Sequence, residues 1–226
     1  LAKKVLAYDG IPVPAFTIFP VGRVVQRPKR LRFPLIVKSL SQDASFGISQ
    51  ASVVTDDPRL RDRVAYLHEG LGTDAIVEQY VEGRELYIGV IGNERTHAYP
   101  VWEMKFADMA GGAHHIATAR VKWSTSYQRK HGIHCGKARL LRSGMAEYLQ
   151  FLAKRVFHLL QMTGYGRIDI RLDNDGQPWV LEANANPQLA YGEDFAESAH
   201  HEGVSYEALL QRILNVALQW KADRAG

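Results

Sequence analysis

Two strand-like runs, Gly164 to Leu172 and Pro178 to Asn184, flank the turn sequence Asp173-Asn-Asp-Gly176 and constrain this chain more than any other feature. Apolar and polar residues alternate along both runs, as in a strand with two unlike faces. One face carries Ile168, Ile170 and Leu172 opposite Trp179, Leu181 and Ala183. The other carries Arg167, Asp169 and Arg171 opposite Val180, Glu182 and Asn184. With Asp175-Gly176 as a two-residue turn, Asp169 falls opposite Glu182 and Arg167 opposite Asn184. Directly opposed side chains have Cβ atoms roughly 4.5–5.5 Å apart, so the two carboxylates repel unless a cation or proton lies between them. Asp, Glu and Asn oxygens on one face form a hard-ligand set suited to magnesium, above all magnesium carrying nucleotide phosphates. A neighbouring Arg would hold a phosphoryl or carboxylate oxygen. The same alternation also suits a solvated polar face on which Arg167 or Arg171 neutralises the acids.

Other segments read more simply. Leu1 to Tyr8 is helix-like, and Asp9-Gly10 ends it before Pro12 and Pro14 hold the chain extended. Pro34-Leu-Ile-Val-Lys38 reads as a buried strand, followed by a loop of small residues from Ser39 to Gly47. Ile48 to Val54 reads as a strand and Pro58 to Gly70 as a helix. Ala75 to Tyr80 and Leu86 to Ile91 read as strands on either side of Val81-Glu-Gly-Arg-Glu85. Asn93 to Gly136 has no clear period, and part of it reads as a long functional loop. Ser143 is a candidate cap for a helix bearing Met145, Leu149, Leu152, Val156, Leu159 and Leu160. Ser205 is another, for a last helix with Leu209, Leu210, Ile213, Ala217 and Trp220 on its buried face. Strands and helices mix without a strict βαβ rhythm, so the fold class expected is α+β.

The length of 226 residues supports one large domain or two small ones. No apolar run approaches the ~20 residues of a membrane span. The start at Leu1 rather than Met reads as a domain cut from a longer protein. A single cysteine, Cys135, rules out an internal disulfide and fits a reducing cytoplasm. Net charge is +4, but its distribution says more: Arg120 to Arg142 holds seven Lys or Arg and no acid. Such a stretch attracts anions, or is simply a solvated basic loop. Trp123 and Tyr127 lie among these cations, but no nucleic-acid-binding motif accompanies them. His131, His134 and Cys135 do not have a common zinc spacing, and the pairs His114-His115 and His200-His201 read as non-ligands.

Gly164-Tyr-Gly-Arg-Ile-Asp-Ile-Arg-Leu-Asp173 followed by Val180-Leu-Glu-Ala-Asn184 resembles the magnesium hairpin of the D-alanine–D-alanine ligases, members of the ATP-grasp superfamily. Pro34 to Gly47 resembles that family's strand and phosphate-covering loop. Ala75-Ile-Val-Glu-Gln-Tyr-Val-Glu-Gly-Arg-Glu85 resembles its adenine hinge and ribose-binding turn, and Ala119-Arg-Val-Lys-Trp123 its loop lysine segment. The resemblance covers nearly the whole chain in the family's order. It implies an ATP-grasp fold of two α+β subdomains clamping ATP, residues 1–84 forming the smaller and 85–226 the larger. It also implies a cytoplasmic ATP-dependent ligase joining a small-molecule carboxylate to an amine through an acylphosphate. ATP and Mg2+ would be required, nucleic acid and membrane would not be partners, and a homodimer is allowed. The family's N-terminal domain would be missing here.

By the same resemblance, Lys38 binds the α- and β-phosphates, and Ser45 and Gly47 belong to the loop that closes over them. Glu78 sits near the adenine amino group, the backbone of Gln79 and Val81 pairs with the adenine edge, and Glu85 accepts from the ribose hydroxyls. Asp169, Glu182 and Asn184 bind magnesium, and Arg167 stabilises the oxyanion of the tetrahedral intermediate. Lys122 is preferred as the loop lysine that reaches the γ-phosphate, with Lys105 as its rival. Asn184-Ala-Asn-Pro-Gln-Leu189 departs from the family by placing Gln188 where a glycine is expected, which argues against two D-alanines as the substrates. A nucleotide-binding module without ligase activity is the alternative reading.

Overall fold

The computed structural model describes residues 1–42, 47–106 and 114–221. In chain order the elements are α1 (Ala2–Tyr8), β1 (Phe16–Phe19), β2 (Leu35–Ser39), β3 (Val53–Val54), α2 (Asp57–Ala65), β4 (Ala75–Gln79), β5 (Gly83–Gly92), β6 (Thr96–Ala98) and β7 (Trp102–Lys105). They continue with α3 (Ala119–Trp123), α4 (Thr125–Lys130), β8 (His134–Lys137), α5 (Met145–Leu159), β9 (Gly164–Asp173), β10 (Pro178–Asn184), α6 (Asp194–His201) and α7 (Tyr206–Gln219). Among the described residues, no helix is long and apolar enough to cross a membrane.

The chain separates into two compact units, residues 14–83 with 106–134, and residues 1–13 with 84–105 and 135–226. A single cut after residue 84 does not describe them, because each unit draws on distant segments. Leu6 and Ile11 bury themselves in the core of the larger unit, and Pro12 accepts a backbone hydrogen bond from Val180 at 2.8 Å. Ile116 packs with Ile36 and Val53 of the smaller unit, where the Gln50 amide donates to the His114 carbonyl at 2.9 Å.

In the smaller unit, four antiparallel strands lie in the order β1-β4-β2-β3. Leu35, Val37, Val54 and Val77 point to one face and pack on Leu60, Val64 and Leu67. Asp56 caps α2, its carboxylate accepting from the Arg59 N–H at 2.8 Å, which sets the start of this cover. The helix expected to run to Gly70 finishes as a π-helical turn from Tyr66 to Gly70. The strand expected over Ile48 to Val54 shrinks to Val53–Val54, because Gln50–Ser52 forms a 3-10 turn closed by Ser49 and Ser52.

The larger unit has a sheet in the order β10-β9-β5-β7-β8, with β6 also paired to β5. Leu86, Ile88, Val90, Ile168, Ile170 and Leu172 face Leu149, Leu152, Val156 and Phe157 of α5. That helix starts after Gly144, whose φ of +74° suits glycine, rather than at a Ser143 cap. On the opposite face, Phe195 of α6 lies over Gly89, where a Cβ would come within 2.9 Å of its ring. In α7, Ser205 caps as expected and Leu209 is buried. Leu210 and Trp220 are exposed, because Trp220 lies past the end of the helix and Leu210 on its flank.

The hairpin pairs Asp169 with Glu182 and Arg167 with Asn184, but its turn differs from expectation. Asp173 pairs with Gln177 across a three-residue turn in which Gly176 has a φ of +86°. Pro178, Trp179 and Val180 therefore face Leu172, Arg171 and Ile170, and a bulge at Leu181 restores the alignment beyond it. Val180 thus enters the core and Trp179 joins the polar face, the reverse of the expected assignment. A partly buried indole N–H still needs an acceptor, and here it donates to Asp173 Oδ2 at 2.9 Å. Asp173 Oδ1 also accepts from the Gln177 N–H at 2.8 Å and the Asp175 N–H at 3.1 Å.

Partial burial disfavours the charged Asp173 carboxyl, but the Trp179 indole and the turn's backbone N–H groups outweigh it and hold its pKa below the ordinary carboxylate range. Its stabilisation is therefore complete above the unfolded value of about 3.9 and is lost as pH falls through the lower folded value. Asp173→Ala is expected to cost about 1–2 kcal/mol at pH 7. In urea melts at a series of pH values, the gap from wild type should close only below about pH 4.

Candidate active site

The polar face of β9 is not solvated. Asp169 is 3% exposed and Arg171 4%, while Glu85 on the neighbouring β5 is 6% exposed. Burial of that many charges demands partners, and the residues supply them. Arg167 Nε and Nη2 donate to the two Asp169 carboxylate oxygens at 2.7 and 2.9 Å, a bidentate pair. The amide of Asn184 donates to Glu182 Oε1 at 3.0 Å and lies 3.4 Å from Asp169 Oδ2. Asn184 therefore spans the two carboxylates that the hairpin register opposes.

Two groups not anticipated from the sequence complete this face. The Arg167 guanidinium stands 4.6 Å from the centroid of the Tyr87 ring, a cation–π contact. It also lies 3.9 Å from Asp194 Oδ2, in the first turn of α6. Burial alone would lower the Arg167 pKa, but Asp169, Tyr87 and Asp194 more than offset it and keep the guanidinium firmly charged. Cys135, exposed on β8, lies close to the same Asp194 carboxylate. Glu85 accepts from the Tyr87 hydroxyl and from Arg171 Nη2, both at 2.9 Å.

Among the described residues, no three His, Cys, Asp or Glu side chains are arranged to hold a metal ion. The hairpin offers two carboxylates and one amide, and that donor set fits a hard divalent cation. Rotating the Asn184 amide by half a turn would present Oδ1 in place of its N–H groups. A cation would then do for Asp169 and Glu182 what the amide donor does in this structure.

In the smaller unit, Lys38 and Glu78 lie on the sheet face opposite the α2 core. Lys38 Nζ is 3.0 Å from Glu78 Oε2, and the Glu78 side chain is 1% exposed. Ile36 pairs with Glu78 across the sheet, and Ile116 packs on Ile36, so this face is partly covered by the segment around His114. The Gln79 N–H donates to the Ala15 carbonyl at 2.8 Å and so is already engaged. Its side chain bridges the Arg32 N–H and the Pro34 carbonyl, which fixes the end of β4. Val81 lies in the connector between β4 and β5.

Gly47 has a φ of +71°, and its carbonyl accepts from the Arg63 guanidinium, which also holds Ser52. Ser45 lies outside the described residues. Lys122 sits in α3, capped by Thr118, which accepts from the Val121 N–H at 3.2 Å. Lys105 belongs to the other unit, at the end of β7, with its ammonium 3.4 Å from the Lys137 carbonyl. The two rival lysines thus occupy different units.

Comparison with known proteins bears on the fold and the family. The fold is that of the ATP-grasp proteins: the D-alanine–D-alanine ligase of Bacillus anthracis, solved in complex with ATP, matches with a TM-score of 0.76 at 21% identity, over 96% of this chain and 64% of that one. The VanG D-Ala:D-Ser ligase of Enterococcus faecalis matches with a TM-score of 0.74 at 19% identity, over 95% of this chain and 60% of that one. Residues 5–215 match the family described as "D-ala D-ala ligase C-terminus", and the chain belongs to that family. An uncharacterized protein of Sinorhizobium fredii, y4sG, is 30% identical over 96% of this chain and 61% of its own length. The D-alanine–D-alanine ligase of Bordetella avium is 29% identical over 95% of this chain and 63% of its own. The chain therefore spans about three fifths of the length of these relatives.

Arg167→Met would leave the buried Asp169 carboxylate without its cation and is expected to cost about 3–5 kcal/mol. Adding Asp169→Asn should recover more than about 1 kcal/mol of that loss. Urea denaturation of the two single variants and the double variant measures this coupling.

Proposed function

We propose that this chain is the nucleotide-binding and catalytic part of an ATP-dependent carboxylate–amine ligase. The observation that carries the reading is the hydrogen-bonded set Arg167, Asp169, Glu182 and Asn184, aligned on one face of the β9–β10 hairpin with Asp169 buried and Glu182 exposed. Nucleotide binding alone does not require a firmly charged arginine beside a hard-ligand set. Membership of the ligase family and the ATP-bound structural relative support the same reading.

In the proposed reaction, Lys38 draws the phosphates of ATP to the smaller unit, and Glu78 orients Lys38 and accepts from the adenine amino group. Gln79 and Val81 offer the backbone groups of the hinge, and Ser45 and Gly47 belong to the loop over the phosphates. Glu85 accepts from the ribose hydroxyls. Asp169, Glu182 and Asn184 would hold magnesium, which would supply charge neutralisation at the transferring phosphoryl group. The γ-phosphoryl group passes to a substrate carboxylate oxygen and ADP departs. Lys122 contacts the γ-phosphate and the substrate carboxylate. The amine nitrogen then attacks the acyl carbon, the C–O bond to phosphate breaks, and the nitrogen loses a proton. Arg167 offers its charge to the oxyanion formed in that attack. Transfer of this kind depends mainly on positioning and charge neutralisation.

The substrates are proposed to differ from two D-alanines. Pro187 is buried, but Gln188 is exposed just beyond β10, and its side chain adds bulk where the family's glycine would leave space. This favours an acceptor amine of another shape.

A screen of carboxylate–amine pairs with the intact protein should reveal ADP and phosphate release only when both substrates are present. Glu182→Ala is expected to lower that turnover at least ~100-fold and to abolish magnesium-dependent ADP binding in calorimetry. Near-normal ligation by Glu182→Ala would refute the metal assignment. Nucleotide binding without turnover on any pair would favour a non-catalytic module.

A further inference from the structure

We propose that Tyr87 is a positioning residue that sets the proposed ribose acid Glu85 and the proposed oxyanion arginine Arg167 together, with Arg171 as its counterpart on the next strand. The inference rests on the ligase reading above and adds to it a support that couples nucleotide binding to chemistry.

Tyr87 lies in β5 and is 2% exposed, so it is shielded from solvent. It touches two groups of unlike charge at once. The face of its ring lies 4.6 Å below the Arg167 guanidinium, and its hydroxyl donates to Glu85 Oε1 at 2.9 Å. The hydroxyl also lies 3.7 Å from Met104 Sδ. Burial, together with the nearby Glu85 and Asp169 charges, pushes the phenol well above its ordinary pKa, so it remains a donor to the carboxylate. The other Glu85 oxygen accepts from Arg171 Nη2 at 2.9 Å.

Glu85 is thus gripped from both sides, by a neutral donor on its own strand and a cation on β9. Each carboxylate oxygen keeps a lone pair for a further donor. The chain Arg171–Glu85–Tyr87–Arg167–Asp169 runs unbroken across the sheet face and meets Asn184 at the hairpin. A shift of the Tyr87 ring would therefore move both the group that reads the nucleotide and the group that meets the oxyanion.

Two variants divide these duties. Tyr87→Phe keeps the ring under Arg167 and removes only the hydroxyl. It should raise KM for ATP about 5–20-fold while kcat stays within about 3-fold. Tyr87→Leu removes the ring as well, and kcat should fall a further ~10–100-fold. Arg171→Met should raise KM for ATP as Tyr87→Phe does, and Arg171→Lys should recover part of the loss. Thermal melts would establish that each variant is folded. A KM unchanged in Tyr87→Phe, or an equal loss of kcat in the Phe and Leu variants, would overturn the inference while leaving the ligase reading intact. Failure of the wild-type protein to bind ADP in calorimetry would overturn both.

Discussion

The bidentate pair between Arg167 and Asp169 allows a charged strand face to be buried. A carboxylate withdrawn from water without a partner costs several kcal/mol, a large share of the total stability of a domain. Asp169 stands opposite Glu182, so the hairpin would set a buried carboxylate against an exposed one of the same charge if nothing intervened. Arg167 supplies the charge, and Asn184 supplies donors that lie between the acids. Tyr87, Arg171 and Asp194 then follow as consequences, since each fixes a group that the pair alone would leave adrift. The core face of the same strands, Ile168 and Ile170, keeps the backbone in place, so the charged groups need not hold the fold together.

The smaller unit meets the same problem on a smaller scale. Its sheet buries apolar residues against α2 on one face and carries Lys38 and Glu78 on the other. The segment around Ile116 covers part of that second face, so Glu78 is almost fully withdrawn and depends on the Lys38 ammonium. Both units thus place an acid and a base on the strand face opposite the one packed on α2 or α5. Strand alternation makes this economical: one residue step separates the packing side from the chemical side.

Much of this was legible in the sequence. The alternation of Ile168 and Ile170 with Arg167, Asp169 and Arg171 declares two unlike faces, and Asp169 does stand opposite Glu182, though through a three-residue turn and a bulge rather than the two-residue turn expected. The four family-like segments in order gave the fold. Other features had no local signal. Tyr87 sits in a run of apolar residues, Leu86 to Ile91, where an aromatic reads as core, and only its parity with Glu85 hints at the other face. Asp194 is brought to Arg167 by the packing of Phe195 on Gly89, a contact between residues far apart in sequence. The membership of residues 1–13 and 106–134 in their units was equally hidden, because it depends on where Ile11 and Ile116 find apolar neighbours. Alternation could not choose between a solvated and a buried polar face, since burial is decided by what packs above it.

The bulge at Leu181 carries a lesson about tolerance. A two-residue turn with no bulge and a three-residue turn with one bulge bring Asp169 to Glu182 alike. The turn end of the hairpin obeys its own needs, seating Val180 in the core and giving the Trp179 indole its acceptor. The far end obeys the needs of the charged groups. One unpaired residue between them takes up the difference, so each end keeps the register that its own contacts set.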